Sequence, residues 1–427
     1  MSRSAEDIRK DIHRLIEEYF ALPASEDPAT KRLTLVAAAY GSEEVNECVD
    51  ALLSTYVTMG ARVREFEKRF AERVGSKHAV MVNSGSSANL LAMAALANPA
   101  FKNHLKPGDE VIVPTVTWST TVWPVIQMGA VPVLVDVSLE TLCMDMDQAR
   151  AAVTEKTRAI FPVHLLGNAT DMNAVRELAK EKKLFVIEDT CEALGTELGG
   201  KVVGTFGDFG TYSFYFSHHM TTIEGGMVVT DNDELAELAR ILRAHGWIRD
   251  AQEKSKFESD NPEIDPRFLF VNTGYNLRPT DLNGAFGLHQ LGKLDGYNDV
   301  RRRNAGVWAE RLGKYADLID VTYPEKDCRH TWFAYPLIVK EGAPFSRQDL
   351  VDHLEAAGIE TRPIVAGNLA KQPAFQYFPH RIHGDLANAQ AIMERGLFFG
   401  NHGIMSPVEC DRIGAALESF LSRHAKD

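Results

Sequence analysis

From residue 78 the chain alternates short apolar runs with longer stretches in which apolar residues recur every three to four positions. The runs are His78–Val82, Glu110–Val113, Val131–Val135, Ala159–Val163, Leu184–Ile187, Gly210–Phe214 and Gly226–Thr230. Most are apolar throughout rather than alternating, as expected of strands covered on both faces. Strand runs separated by helical segments predict one large, mostly parallel seven-stranded sheet with helices on both sides.

The flanks read differently. Residues 1–33 form a charged leader with Ile8, Ile12, Leu15, Ile16 and Tyr19 near helical spacing. Val45, Val49, Leu52, Leu53, Val63, Phe66 and Phe70 mark one amphipathic stretch from about 44 to 74. Asp250–Pro266 reads as a charged, proline-containing loop. Beyond about 320, Thr331–Val339 reads as a strand and Arg347–Ala357 as a helix. The expected division is a helical leader (1–33), a large α/β domain (34–300) and a smaller α+β C-terminal domain (301–427).

Composition narrows the partners. The formal charge of −13 argues against nucleic acid or an anionic membrane. It leaves room for a small anion held by a local Arg/His cluster. No run of about 18 apolar residues predicts a membrane span, and the first residues lack an apolar signal core, so the cytoplasm is the expected location. Cys48, Cys143, Cys191, Cys328 and Cys410 are dispersed without a CxxC. That pattern predicts reduced thiols and no metal or iron–sulfur site.

Four segments carry candidate chemistry. Asn83-Ser-Gly-Ser-Ser-Ala-Asn89 follows the first strand and opens an apolar helix, so backbone N–H groups near Gly85 and Ser86 are free to cradle a phosphate, or the segment is a plain helix cap. Asp189 ends the fifth strand, where open α/β sheets place ligands; the alternative is a capping aspartate. Trp118 follows the second strand and is able to stack on a flat ring or to fill the core. Ser213 to Gly226 combines a hydroxyl, the pair His218-His219 and a Glu-Gly-Gly turn. Adjacent histidines rarely ligate one ion, so metal binding is the weaker reading of that pair. His245, Arg249, Asn276 and Arg278 add cationic and planar polar groups suited to anions, or a solvated charged face.

Taken in order, Asn83-Ser-Gly-Ser, Gly108-Asp-Glu-Val-Ile-Val-Pro114, Val163-His-Leu-Leu-Gly167, Glu188-Asp189, Ser213-Phe214, Glu224-Gly-Gly226 and Gly274-Tyr-Asn-Leu-Arg278 resemble the DegT/DnrJ/EryC1/StrS sugar aminotransferase family from about Leu33 onward. The resemblance implies an aspartate aminotransferase-like fold of type I, pyridoxal 5′-phosphate (PLP) or its pyridoxamine form as cofactor, and a homodimer with shared active sites. It implies that Gly85, Ser86 and Ser213 hold the phosphate, with Asn276 added by the partner chain. It implies that Trp118 stacks on the ring, that Asp189 pairs with the ring nitrogen, and that His245, Arg249 and Arg278 of the partner face a nucleotide-sugar.

The departure is at residue 218. Family aminotransferases carry there the lysine that binds the cofactor as a Schiff base, and an imidazole cannot form that bond. A histidine in its place resembles the sugar 3-dehydratases. One kind acts on a CDP-linked 4-keto-6-deoxyhexose and uses a cysteine-bound iron–sulfur cluster and a reductase. The other acts on GDP-4-keto-6-deoxymannose without a cluster, and the His218–Gly226 wording resembles it more. This implies a non-covalently held cofactor recharged by L-glutamate, His218 as acid/base, and a place in 3,6-dideoxysugar synthesis of the O-antigen type. Glu192 is a second departure, expected beside the cofactor. The alternatives are an aminotransferase using another lysine and a non-catalytic sugar sensor.

Overall fold

The computed structural model describes residues 3–23, 26–37 and 39–425. The seven apolar runs form strands at His78–Val82, Glu110–Pro114, Val131–Val135, Thr157–Ile160, Phe185–Asp189, Phe209–Ser213 and Gly226–Thr230. All lie in one sheet, in the spatial order first, seventh, sixth, fifth, fourth, second, third. Only the seventh runs antiparallel to its neighbours. Within each strand the side chains divide between two cores. Val111 and Val113 join Leu91, Leu242 and Phe161 on one face, while Ile112 and Ile160 join Met172, Val175 and Leu178 on the other. A strand's side chains alternate between faces, so both halves of an all-apolar run are buried.

The fourth strand ends earlier than its apolar run because Pro162 has no N–H to give to a ladder. An eighth strand, Arg381–Ile382, pairs in parallel with the third. It has no apolar run to announce it. A two-pronged contact fixes it instead, with Arg381 Nε and Nη2 donating to Glu110 Oε1 and Oε2 at 3.1 and 3.0 Å.

Two local expectations are corrected. The amphipathic stretch over 44–74 is two helices, Ser42–Leu53 and Ala61–Val74, not one. Thr55 between them has φ of 64°, and a Cβ on Gly60 would lie 3.0 Å from the Asp281 carboxylate, so the chain turns there. The Asp250–Pro266 loop contains a short helix, Lys254–Asp260, which buries nothing and carries a Lys254–Glu258 pair one turn apart.

Ala334–Val339 is the centre of a four-stranded antiparallel sheet with Ile319–Val321, Gly396–Gly400 and Thr361–Arg362. Trp308, Tyr335, Leu350, Phe399 and Leu417 fill its core. The helix Asp281–Leu312 runs through the expected 300/301 boundary as one element. Its first half packs on Val63 and Phe66, and its last turns enter the second core. In the leader, Ala5–Phe20 is a helix capped by Ser4 and Asp7 with no buried residue.

Candidate active site

Parallel strands deliver their carboxyl ends to one edge of a sheet, and the ligand site of such sheets lies there. Asp189 and Ser213 end the fifth and sixth strands, and Thr117 and Trp118 follow the second. The seventh strand runs the other way, so the loop from Phe214 to Gly225 that feeds it crosses the same edge and carries His218 over it. A cavity of about 530 Å³ opens there. Gly85, Ser86, Trp118, Asp189, Glu192, Ser213 and His218 all line it.

Two glycines let the walls close. A Cβ on Gly85 would stand 2.5 Å from the Ser213 Cβ and 3.0 Å from the Cys191 Sγ; one on Gly226 would stand 2.3 Å from the Ser84 carbonyl oxygen. The capping reading of Asn83–Asn89 describes the local contacts, and it leaves room for the anion cradle. Ser84 caps the helix Gly85–Leu96 by accepting from the Ser87 N–H at 3.1 Å, and the Ala88 N–H donates to the Ser84 carbonyl. The N–H groups of Gly85 and Ser86 therefore remain for a ligand at the helix N-terminus.

Asp189 caps no helix. Its Oδ2 accepts from Asn89 Nδ2 at 2.8 Å and Thr121 Oγ1 at 2.7 Å, and its Oδ1 from the Cys191 N–H at 3.1 Å. Thr211 in turn donates to Asn89 Oδ1 at 2.6 Å. All three partners of Asp189 donate, so the surroundings suit a carboxylate aimed at a positive partner. The sequence reading missed Asn89 and Thr121. Their signal was helical position: Asn89 lies four residues after Gly85, and Thr121 three after Trp118.

The His218 Nδ1 lies 2.6 Å from the Cys191 carbonyl oxygen. A carbonyl only accepts, so Nδ1 carries the proton and Nε2 is the basic nitrogen. Burial, opposed in part by the bond to the Cys191 carbonyl and by Asp189, pushes the His218 imidazole down to about 4. Glu192 accepts one bond, from the Leu166 N–H at 3.0 Å. Burial pushes its carboxyl up to about 7, with Asp189 adding to the rise. The cavity thus holds a neutral base beside a carboxyl poised near neutrality, a separation typical of acid/base sites. His219, next to His218, is buried and has no hydrogen-bond partner at either ring nitrogen.

His245, Arg249, Asn276 and Arg278 do not line this cavity. Arg278 Nε donates to Asn276 Oδ1 at 3.1 Å, His245 has φ of 67°, and Arg249 lies over the Trp247 ring. The smaller sheet and the turn before its first central strand supply residues that the sequence reading missed: Phe333, Arg362 and Phe398 also line the cavity. Among the described residues no group of three His, Cys, Asp or Glu side chains is assembled for a metal ion.

Residues 39–418 match the DegT/DnrJ/EryC1/StrS aminotransferase family. The chain belongs to that family. It is 43% identical over 377 residues to GDP-4-keto-6-deoxy-D-mannose 3-dehydratase of Yersinia pseudotuberculosis, covering 87% of this chain and 94% of that one. Among solved structures it is similar to a histidine variant of GDP-4-keto-6-deoxymannose-3-dehydratase with bound GDP-perosamine, with a TM-score of 0.86 and 38% identity over 90% of this chain and 100% of the other. The same enzyme with a trapped PLP-glutamate geminal diamine matches with a TM-score of 0.84, 38% identity and coverage of 90% and 99%. The fold is therefore the PLP-dependent type I fold expected from the family motifs. The cavity fits that cofactor: an N–H cradle that tolerates no Cβ for a phosphate, a three-donor carboxylate for a ring nitrogen, and no lysine among its lining residues.

Proposed function

We propose that the protein is a PLP/PMP-dependent 3-dehydratase that removes the C3 hydroxyl of a nucleotide-linked 4-keto-6-deoxyhexose, GDP-4-keto-6-deoxymannose being the preferred substrate. The observation that carries this reading is His218, a histidine with a free Nε2 in the cavity, where the aminotransferases of the family carry lysine. The pyridoxamine form supplies an amine for the C4 ketone and a ring that withdraws electrons. Gly85, Ser86 and Ser213 hold its phosphate, Trp118 covers its ring, Asp189 pairs with the ring nitrogen, and Glu192 borders it.

His218 does the proton work. Its Nε2 would accept the proton given up by the amine-bearing carbon of the bound cofactor and then deliver it to the C3 hydroxyl oxygen as the C3–O bond breaks, so that water leaves. A base that forms no Schiff base keeps the cofactor non-covalent, and L-glutamate restores the amine. The product is a 3-deoxy-4-keto sugar for a 3,6-dideoxysugar of the colitose type.

The protein works as a cytoplasmic homodimer in this reading. Trp118, Tyr215, Phe216 and Ile223 are exposed around the His218 loop of one chain, an apolar surface that a second protomer would cover. Asn276, His245, Arg249 and Arg278 then complete the partner's site, the first at the phosphate and the others at the nucleotide-sugar. Protein mixed from His218→Asn and Arg278→Ala chains should regain activity that neither homodimer has; no recovery overturns the shared site.

The decisive experiment incubates the protein with PLP, glutamate and GDP-, CDP- or dTDP-linked 4-keto-6-deoxyhexoses. Ammonia release and C3 hydroxyl loss should coincide with the GDP sugar. A 4-amino sugar as product, or no turnover with any of the three, would refute the dehydratase reading.

A further inference from the structure

Behind the His218 loop, on the side away from the cavity, lies a buried arginine. Arg301 is 3% exposed. Its Nη1 donates to the Phe333 carbonyl at 2.9 Å and to the Asn401 carbonyl, and its Nη2 donates to the carbonyl of His218 itself at 3.4 Å. Its Nε has no partner. Burial pushes this guanidinium down to about 9, and among the described residues no carboxylate pairs with it. An interior cation held only by backbone carbonyls is expensive, because carbonyl dipoles return less than a carboxylate does. A merely structural crosslink between these three segments would not need a charge.

The three carbonyls are informative. Phe333 packs its ring edge-on against the His218 imidazole, with centroids 5.2 Å apart. Its N–H donates to the Leu166 carbonyl, and the Leu166 N–H holds Glu192. One guanidinium therefore grips the backbone of His218 and the backbone of the ring beside it, and the N–H of that second residue continues through Leu166 to Glu192. The charged and titratable groups facing His218 are Asp189, Glu192, Glu224 and Arg362 around the cavity, Cys191 and Tyr215 at its flanks, and His219, Tyr297, Arg301 and His402 behind it. Burial is the main influence against a charged imidazole; the Cys191 carbonyl and Asp189 favour the charge, and Arg301 opposes it. Asp189 faces a ligand that would neutralise it; Arg301 faces none.

We propose that Arg301 is a positioning residue for His218, pinning the loop carbonyl and the neighbouring ring while its uncompensated charge drives the proton from Nε2 onto the departing C3 hydroxyl. This rests on the dehydratase reading for the identity of the proton acceptor. In the step itself the N–H bond of the imidazolium breaks, an O–H bond forms, the C3–O bond breaks with its electron pair on oxygen, the pair that the bound cofactor would feed through C4 makes the new double bond to C3, and water leaves. Burial makes His218 reluctant to keep a proton and the Arg301 charge adds to it, and the same environment makes the imidazolium a strong acid once it forms.

The test is a proton titration of His218 in PLP-loaded protein labelled with [13Cε1]histidine, the resonance being assigned by its loss in His218→Asn. The wild-type imidazole should stay neutral well below pH 6. Arg301→Met should raise the titration midpoint by about one pH unit, a tenfold gain in proton affinity. Arg301→Lys, which keeps the charge and loses the fork, should leave the midpoint near wild type and lower kcat more than KM. A wild-type midpoint at the ordinary histidine value overturns the proposal without any variant, and so does an unchanged midpoint in folded Arg301→Met. Should Arg301→Met fail to fold, Arg301→Gln replaces it, since it keeps N–H donors and removes the charge. The titration needs no turnover. A shifted midpoint in a protein inert toward every sugar would sink the dehydratase reading alone, whereas normal dehydration with an unshifted midpoint would sink this one.

Discussion

His164 and Glu188 are fully buried and meet at 3.1 Å, whereas His218 and Glu192 line the open cavity. In the first pair every strong valence is used. The Thr170 N–H donates to His164 Nδ1, so Nε2 carries the proton and donates to Glu188; the Gly204, Phe206 and Gly207 N–H groups also donate to that carboxylate. In the second pair each side chain has one protein partner and capacity left over. Identical residue types thus serve different ends. A satisfied pair in a dry interior welds the Val163–Gly167 turn to the fifth strand and the Gly204–Gly207 loop. A half-satisfied pair in a cavity is available to move protons.

The largest effect should come from His218→Asn. Dehydration should fall about a thousandfold or more while unfolding stability stays near wild type, because general acid–base catalysis carries factors of that size. A variant still dehydrating at the wild-type rate would erase the contrast. The wild-type protein should give no borohydride-reducible bond to PLP, and His218→Lys should create one.

Next, His164→Ala should do the reverse. It should cost about 3 kcal/mol in chemical denaturation, since it strands part of a buried carboxylate, and leave turnover per folded molecule within a few-fold of wild type. Loss of turnover without loss of stability would show that the buried pair also takes part in the chemistry.

Thr121→Val removes one donor from Asp189 without changing side-chain shape. PLP should dissociate about tenfold more readily, consistent with one hydrogen bond to a charged group. Equal affinity by absorbance titration would mean that Asp189 does not face the cofactor.

The smallest effect lies in the pH dependence of stability. Glu192 is pushed up to about 7 from an ordinary 4.5. The folded state holds a proton that the unfolded chain releases, so this contribution is present at low pH and is lost as pH rises from about 4.5 through 7. His218 has the opposite sign. Its imidazole is pushed down from 6.5 to about 4, so the unfolded chain takes up the proton first and stability is lost as pH falls through that window. Glu192→Gln should flatten the decline toward neutral pH and leave the decline toward acid. An unchanged curve would place Glu192 in ordinary solvent.

Much of the fold was legible because its signals are local. The seven apolar runs each became a strand of the main sheet, and the motifs at Gly85, Trp118, Asp189, Ser213 and His218 fall at strand ends that parallel pairing carries to one edge. The strand Arg381–Ile382 was illegible, since two residues without an apolar pattern are placed by a salt bridge to Glu110. Phe333, Arg362 and Phe398 were illegible too. They sit far along the chain from His218, on or beside the smaller sheet, and only tertiary packing brings them to the cavity. His245, Arg249, Asn276 and Arg278 are legible as polar motifs, yet one chain does not bring them to its own cavity.

By itself the sequence determined which residues have the chemistry: an imidazole where a lysine would form a covalent bond, a carboxylate at a strand end, and small residues at a helix start. Residue type and local periodicity suffice for that, because valence and strand polarity are written in adjacent positions. Only the tertiary structure decided what each group is free to do. It ties His218 Nδ1 to a carbonyl and leaves Nε2 bare, fills His164 and Glu188 completely, and sets Arg301 behind the base without a counter-charge. Those outcomes depend on burial and on partners far away in the chain, and they set proton affinity more strongly than residue identity does.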